Sequence, residues 1–164
     1  MSSKNLSYTI SKNGELPELK QVIKQAIHNN ANDFLNPPIK NIGYKGIFKT
    51  STEIKNWHQT SKNIKRDFQT SASLMENGGT GGSLFRNLYR DFLKESGELI
   101  ESDLLIKASE EYSNIAILWK DVADLFIQIG ETEDIKYVNE ASKVLIELSK
   151  REKTVMENLK EATV

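Results

Sequence analysis

The sequence predicts an all-α protein of about six helices, the last two forming a long antiparallel hairpin. Three observations lead there. From Ser102, the residues Leu105, Ala108, Tyr112, Ile115, Ala116, Trp119, Val122, Ala123 and Phe126 form the longest apolar stripe at three- and four-residue spacing. A second stripe, Val138, Ala141, Leu145, Leu148, Val155 and Leu159, follows after a short turn, and Glu152 occupies one position of its seam. Helices joined so tightly are antiparallel neighbours. Finally, period-two alternation is confined to Leu6, Tyr8 and Ile10, a strand signal with no partner elsewhere.

Each element follows in order. Residues 1–14 read as an N-terminal tail or an orphan strand ended by Asn13-Gly14, and residues 15–164 as a single helical domain. Pro17 suits a first helical turn, and Leu19, Val22, Ile23, Ala26, Ile27 and Phe34 mark the stripe that follows. Asn36-Pro37-Pro38 stops it. After the glycine turn Asn41-Ile42-Gly43-Tyr44-Lys45-Gly46, a short helix is expected near 46–58 with Trp57 in the core. Ile64, Phe68, Ala72 and Met75 give a thinner stripe. The next helix is expected to bury Phe85, Leu88, Tyr89, Phe92 and Leu93 and to close at Ser96-Gly97. Gly130 is placed as the C-cap of the long stripe and Thr132 as the start of the last helix.

The stretch around which the domain is organised runs from Glu76 to Glu95: Glu76-Asn77-Gly78-Gly79-Thr80-Gly81-Gly82-Ser83, then the amphipathic helix pattern that starts at Leu84. Four of the nine glycines lie within it. Glycine permits positive φ and close backbone approach. A helix start adds unpaired N–H groups at the positive end of its dipole, which suits an anion or a carbonyl oxygen. Thr80 or Ser83 is available as a cap, and Arg86, one turn before Arg90, as a cation. Two readings stand side by side: a loop facing a ligand or another domain, or a turn that lets two helices pack closely. The P-loop and dinucleotide fingerprints do not fit, because Ser83 and Leu84 stand where lysine and glycine are needed.

Gly79-Thr80-Gly81-Gly82, then Phe85-Arg86, Tyr89 and Phe92-Leu93 with Glu95, resembles the C-terminal domain of proteins related to butirosin biosynthesis protein H. Asn41, Gly43, Gly46-Ile47 and Trp57, preceded by Asn36-Pro37-Pro38, agree in order and spacing. The resemblance implies a C-terminal accessory, substrate-shaping domain of an acyl- or peptide-transfer protein of secondary metabolism. Its implied partners are an N-terminal cysteine-peptidase-like domain, in the same protein or a separate chain, and an acyl carrier protein. The chain has no cysteine, so no residue inherits the nucleophile's role. The site residues expected on this basis are Gly78, Gly79, Thr80, Gly81, Gly82, Ser83 and Arg86, in contact with a ligand or the other domain. Two alternatives stay open: a stand-alone helical interaction module, and a helical domain that binds an anion such as phosphopantetheine.

Composition narrows the classes. Lys plus Arg is 22 against Asp plus Glu 23, a balance that gives no electrostatic footprint for nucleic acid. No apolar run approaches the ~20 residues of a membrane span, and the N-terminus lacks a signal-peptide core. Absence of cysteine excludes disulfides and thiolate metal sites and is compatible with the cytoplasm. His28 and His58 are isolated, no metal-ligand spacing occurs, and no serine or threonine has a marked base. No catalytic residue, metal or cofactor is expected in this chain alone, and oligomerisation is left open.

Overall fold

The computed structural model describes residues 9–11, 14–15, 17–78 and 81–163. Six helices run in order: α1 (Leu19–Leu35), α2 (Gly43–Thr60), α3 (Ile64–Asn77), α4 (Ser83–Ile100), α5 (Asp103–Thr132) and α6 (Ile135–Ala162). The described residues contain no strand. The alternation at Leu6 and Tyr8 lies outside them, and residues 9–11 carry no regular structure.

α5 and α6 are the axis of the domain. Two residues, Glu133 and Asp134, connect them. The groove between them brings Leu104 and Lys107, at the start of α5, beside Asn158 and Glu161, at the end of α6. The two helices therefore run antiparallel. Every apolar position predicted on both stripes is buried, including Trp119 and Leu145. α3 and α4 pack on α5, whereas α1 and α2 pack on α6. The layout is a central hairpin with a pair of helices on each arm.

Local chemistry sets the ends. Asn63 Oδ1 accepts the Arg66 N–H at 2.9 Å and caps α3. Asp134 Oδ1 accepts the Lys136 N–H at 2.8 Å and caps α6. Each satisfies one of the donors that a helix start leaves unpaired. Thr132 is thus the last residue of α5 rather than the start of α6, although its Oγ1 accepts the Asp134 N–H at 3.2 Å.

Two glycines expected to end helices lie inside them. α4 runs past Gly97 to Ile100 and ends at Glu101, in the left-handed conformation with φ 55°. A Cβ on Gly97 would lie 2.8 Å from Ile106 Cδ1 and 3.2 Å from the Ile106 nitrogen, so this glycine lets α4 and α5 approach. Likewise, α5 runs past Gly130 and ends at Glu133, with φ 57°. A Cβ on Gly130 would lie 3.0 Å from the Lys65 carbonyl oxygen of α3. Both glycines act through packing, not through backbone sign.

Two predicted buried faces are rotated. On α2 the buried residues are Gly46, Ile47, Ser51 and Ile54, and Trp57 is exposed. The helix also starts at Gly43. Its seam includes a polar residue whose hydroxyl is satisfied locally: Ser51 Oγ donates to Phe48 O at 2.6 Å. Ser142 Oγ of α6 donates to Ser51 O at 2.7 Å. On α4 the buried residues are Leu93, Ser96 and Gly97, with Tyr89 and Ile100 partly buried. Phe85, Leu88 and Phe92 are exposed. On α1 the expected Ile23 and Ile27 are buried, with Ala31 beside them and Phe34 packed against the core, whereas Leu19 and Val22 are exposed.

Candidate functional site

The glycine loop joins α3 to α4. Gly79 and Thr80 lie outside the described residues; Gly78, Gly81, Gly82, Ser83 and Arg86 lie within them. The Gly78 N–H donates to Leu74 O at 3.0 Å, ending α3. Gly81 has φ +114°, a conformation that L side chains rarely adopt. The Gly82 N–H donates to Met75 O at 3.0 Å, and a Cβ on Gly82 would lie 2.4 Å from that same oxygen. Gly81 and Gly82 therefore have a cause within the loop itself.

The start of α4 holds an anion, supplied by the chain. The Ser83 N–H donates to Glu76 Oε1 at 3.1 Å, and Ser83 Oγ donates to Glu76 Oε2 at 2.7 Å. The carboxylate sits where the helix dipole favours negative charge. Gly82 rather than Ser83 is the N-cap residue of α4. Arg86 does turn back toward the loop, and its Nη1 donates to Gly81 O. The rest of its guanidinium is committed inward: Nε donates to Glu152 Oε1 at 3.1 Å and Nη2 to Glu152 Oε2 at 3.0 Å. Expected as a cation for a ligand, Arg86 is instead the lid of a buried carboxylate.

Glu152 on α6 is 1% exposed. Its third donor is Trp119 Nε1 on α5, 2.6 Å from Oε1. The Arg86 guanidinium carbon also lies 4.5 Å from the centroid of the Trp119 ring, a cation–π contact. One carboxylate thus ties α4, α5 and α6 together, and Arg86 carries that tie to the loop. A charge inside an apolar seam is the sequence sign of such a partner, since burying it unpaired is costly.

Beside the carboxylate, the rings of Tyr89 and Tyr112 meet edge to face at 4.9 Å. Both hydroxyls are buried without a hydrogen-bond partner among the described residues. Burial pushes the Tyr89 phenol upward. Burial is likewise the main cause that pushes the Tyr112 phenol well above its ordinary value, with the Glu152 charge adding to it. These two tyrosines, Glu76, Trp119 and Glu152 complete the cluster.

The outer face of α4 begins beside the loop. Phe85, Leu88, Phe92 and Leu99 repeat at helical spacing and are 45%, 56%, 37% and 58% exposed. A stripe of this spacing normally meets another element. The histidines lie elsewhere: His58 Nε2 donates to Glu133 O at 2.9 Å, and His28 sits on α1. Among the described residues, no group of His, Asp and Glu is arranged to hold a metal ion, and no helix is long and apolar enough to cross a membrane.

The comparison with family models places this arrangement. Residues 1–159 match the family described as a domain of unknown function, DUF4872. The chain belongs to the DUF4872 family. The loop, the buried carboxylate and the α4 face all lie inside the DUF4872 match. The comparison with curated proteins found no match, and neither did the comparison with solved structures.

Proposed function

We propose that this chain is the non-catalytic helical half of a butirosin-H-like acyl- or peptide-transfer protein. It docks against the cysteine-bearing domain through the outer face of α4, and the glycine loop forms one end of that contact. The observation that carries this reading is the exposed stripe Phe85, Leu88, Phe92 and Leu99, on a helix whose other face is already taken by α5. An apolar stripe left facing water marks an interaction surface. The chemistry is assigned to the cysteine domain, because this chain has no thiol. Its own contribution is shape: one wall of a cleft, set in place by the Arg86–Glu152 tie. An acyl carrier protein would then deliver its substrate to the joined domains.

The alternative of an anion or phosphopantetheine site at the loop has less support. The donors described there already have partners in Glu76, Met75, Gly81 and Glu152. An interaction module without any cysteine-domain partner shares the α4 surface and differs only in what covers it.

The test is association of this chain with a butirosin-H-type cysteine domain, followed by sedimentation velocity. Leu88→Asp is expected to abolish the complex while the circular dichroism melt stays in place. A complex that forms equally well with Leu88→Asp would refute α4 as the contact. A wild-type chain that ignores the cysteine domain but self-associates through Leu88 would favour the interaction module.

A further inference from the structure

A second surface lies between α2 and α6, away from the outer face of α4. Tyr44 and Phe48, one turn apart on α2, form the floor of an open groove of about 530 Å³. Ser149 closes it from α6 and donates its Oγ to Tyr44 O at 2.8 Å. Five lysines line the groove and no carboxylate does: Lys40, Lys45 and Lys49 on one side, Lys150 and Lys153 on the other. Lys45 and Lys153 place their Nζ atoms 5.7 Å and 5.6 Å from the centroid of the Tyr44 ring.

The charge is local and largely uncompensated. Lys49 pairs with Glu53 at 3.4 Å and Lys153 with Glu157 at 3.3 Å. Lys40, Lys45 and Lys150 have no carboxylate partner among the described residues. Five cations against those two anions leave a local excess of positive charge on a chain whose net charge is −1. Like charges gathered around an apolar floor repel one another, so this rim is better satisfied by a partner that brings carboxylates.

The arrangement selects the shape of that partner. Lys45 and Lys49 are one turn apart on α2, and Lys150 and Lys153 are one turn apart on α6. The rim is therefore two rows of cations with a helical repeat of about 5.4 Å. A helix laid between them would direct an apolar stripe at Tyr44 and Phe48 and carboxylates at both rows. Tyr44 is half-buried and Phe48 exposed, so the apolar area offered is that of two side chains, little for a bilayer, whose binding scales with buried apolar area. We propose that the lysine-rimmed groove between α2 and α6 docks an acidic amphipathic helix of a partner protein. This inference stands apart from the α4 contact, and either can fail without the other.

The test uses the full chain and a fluorescein-labelled helical peptide of about 15 residues. The peptide carries leucines at helical spacing, with glutamates on both flanks. Fluorescence anisotropy is expected to show saturable binding, weakened at least about tenfold on raising ionic strength from about 0.05 M to about 0.3 M. The same peptide with Glu→Gln throughout should bind at least about tenfold more weakly. Lys45→Glu and Lys150→Glu should each weaken binding about fivefold or more, as should Phe48→Ala, while Lys62→Glu on the α2–α3 connection leaves it unchanged. All four substituted positions are exposed, so a melt measured beside each titration separates lost binding from lost fold. Equal binding of the Gln peptide, or equal loss with Lys62→Glu, overturns the proposal. So does co-sedimentation with phosphatidylserine-containing vesicles, dependent on Lys45 and Lys150, when the peptide does not bind.

Discussion

Arg86 and Glu152 stand 66 residues apart in the chain and meet as a two-pronged ion pair, with the carboxylate all but sealed from water. Neither partner tolerates losing the other, because a buried charge left alone carries its full desolvation cost. Arg86→Ala and Glu152→Ala are each expected to cost about 3–5 kcal/mol of stability. The double replacement by apolar residues of similar size should cost less than the sum of the two. Urea unfolding of the four proteins measures this, and additive losses would show that the pair is not coupled.

Tyr112 provides a prediction in pH. Its phenol is pushed well above the ordinary value of 10.0, chiefly by burial. A folded-state value above the unfolded one means that the stabilisation is fully present below about pH 10 and is lost as pH rises through the folded-state value. The chain should therefore unfold cooperatively above about pH 10, with tyrosinate absorbance at its edge. Tyr112→Phe removes a buried hydroxyl that has no partner among the described residues. It should be at least as stable at neutral pH, by up to about 1 kcal/mol, and should unfold at higher pH than the parent. A large loss of stability would mean that the hydroxyl has a partner after all.

Gly97 and Gly130 mark where helices approach α5 and where α5 itself approaches α3. Alanine would raise intrinsic helix propensity at both positions. The added methyl must nonetheless meet Ile106 in one case and the Lys65 carbonyl in the other. Overpacking of this kind typically costs about 1–3 kcal/mol. Thermal melts of Gly97→Ala and Gly130→Ala decide the balance, and stabilisation by either would show that the neighbouring helix yields freely.

The loop glycines make a contrasting case. Gly81→Ala is opposed by its positive φ and Gly82→Ala by the Met75 carbonyl. Both should lower stability by roughly 1–3 kcal/mol. Glu76→Gln weakens the anion at the start of α4 and should cost up to about 1 kcal/mol. If the loop also forms one end of a domain contact, association should fall by more than the lost stability explains. Loss of both in proportion would leave the glycines with a turn alone.

By itself the sequence determined the helix count, the two long seams and the antiparallel hairpin. Apolar spacing on α5 and α6 is unambiguous there because each helix is buried by several neighbours, so nearly every apolar residue faces something. It also flagged Glu152 as a charge in a seam. Ile23 and Ile27 on α1, Ile47 and Ile54 on α2 and Leu93 on α4 were legible, but tertiary structure alone decided which of the other apolar residues on these helices are buried. Each is an outer helix with one buried side, and its seam contains small or polar residues: Ala31, Ser51, Ser96 and Gly97. A pattern read from large apolar residues then follows the exposed stripe instead of the buried one, as at Phe85, Leu88 and Phe92. The use of Gly97 and Gly130 and the partners of Glu76 and Arg86 were likewise out of reach. Close approach and ion pairing depend on which residues distant in sequence become neighbours, and local periodicity carries no record of that.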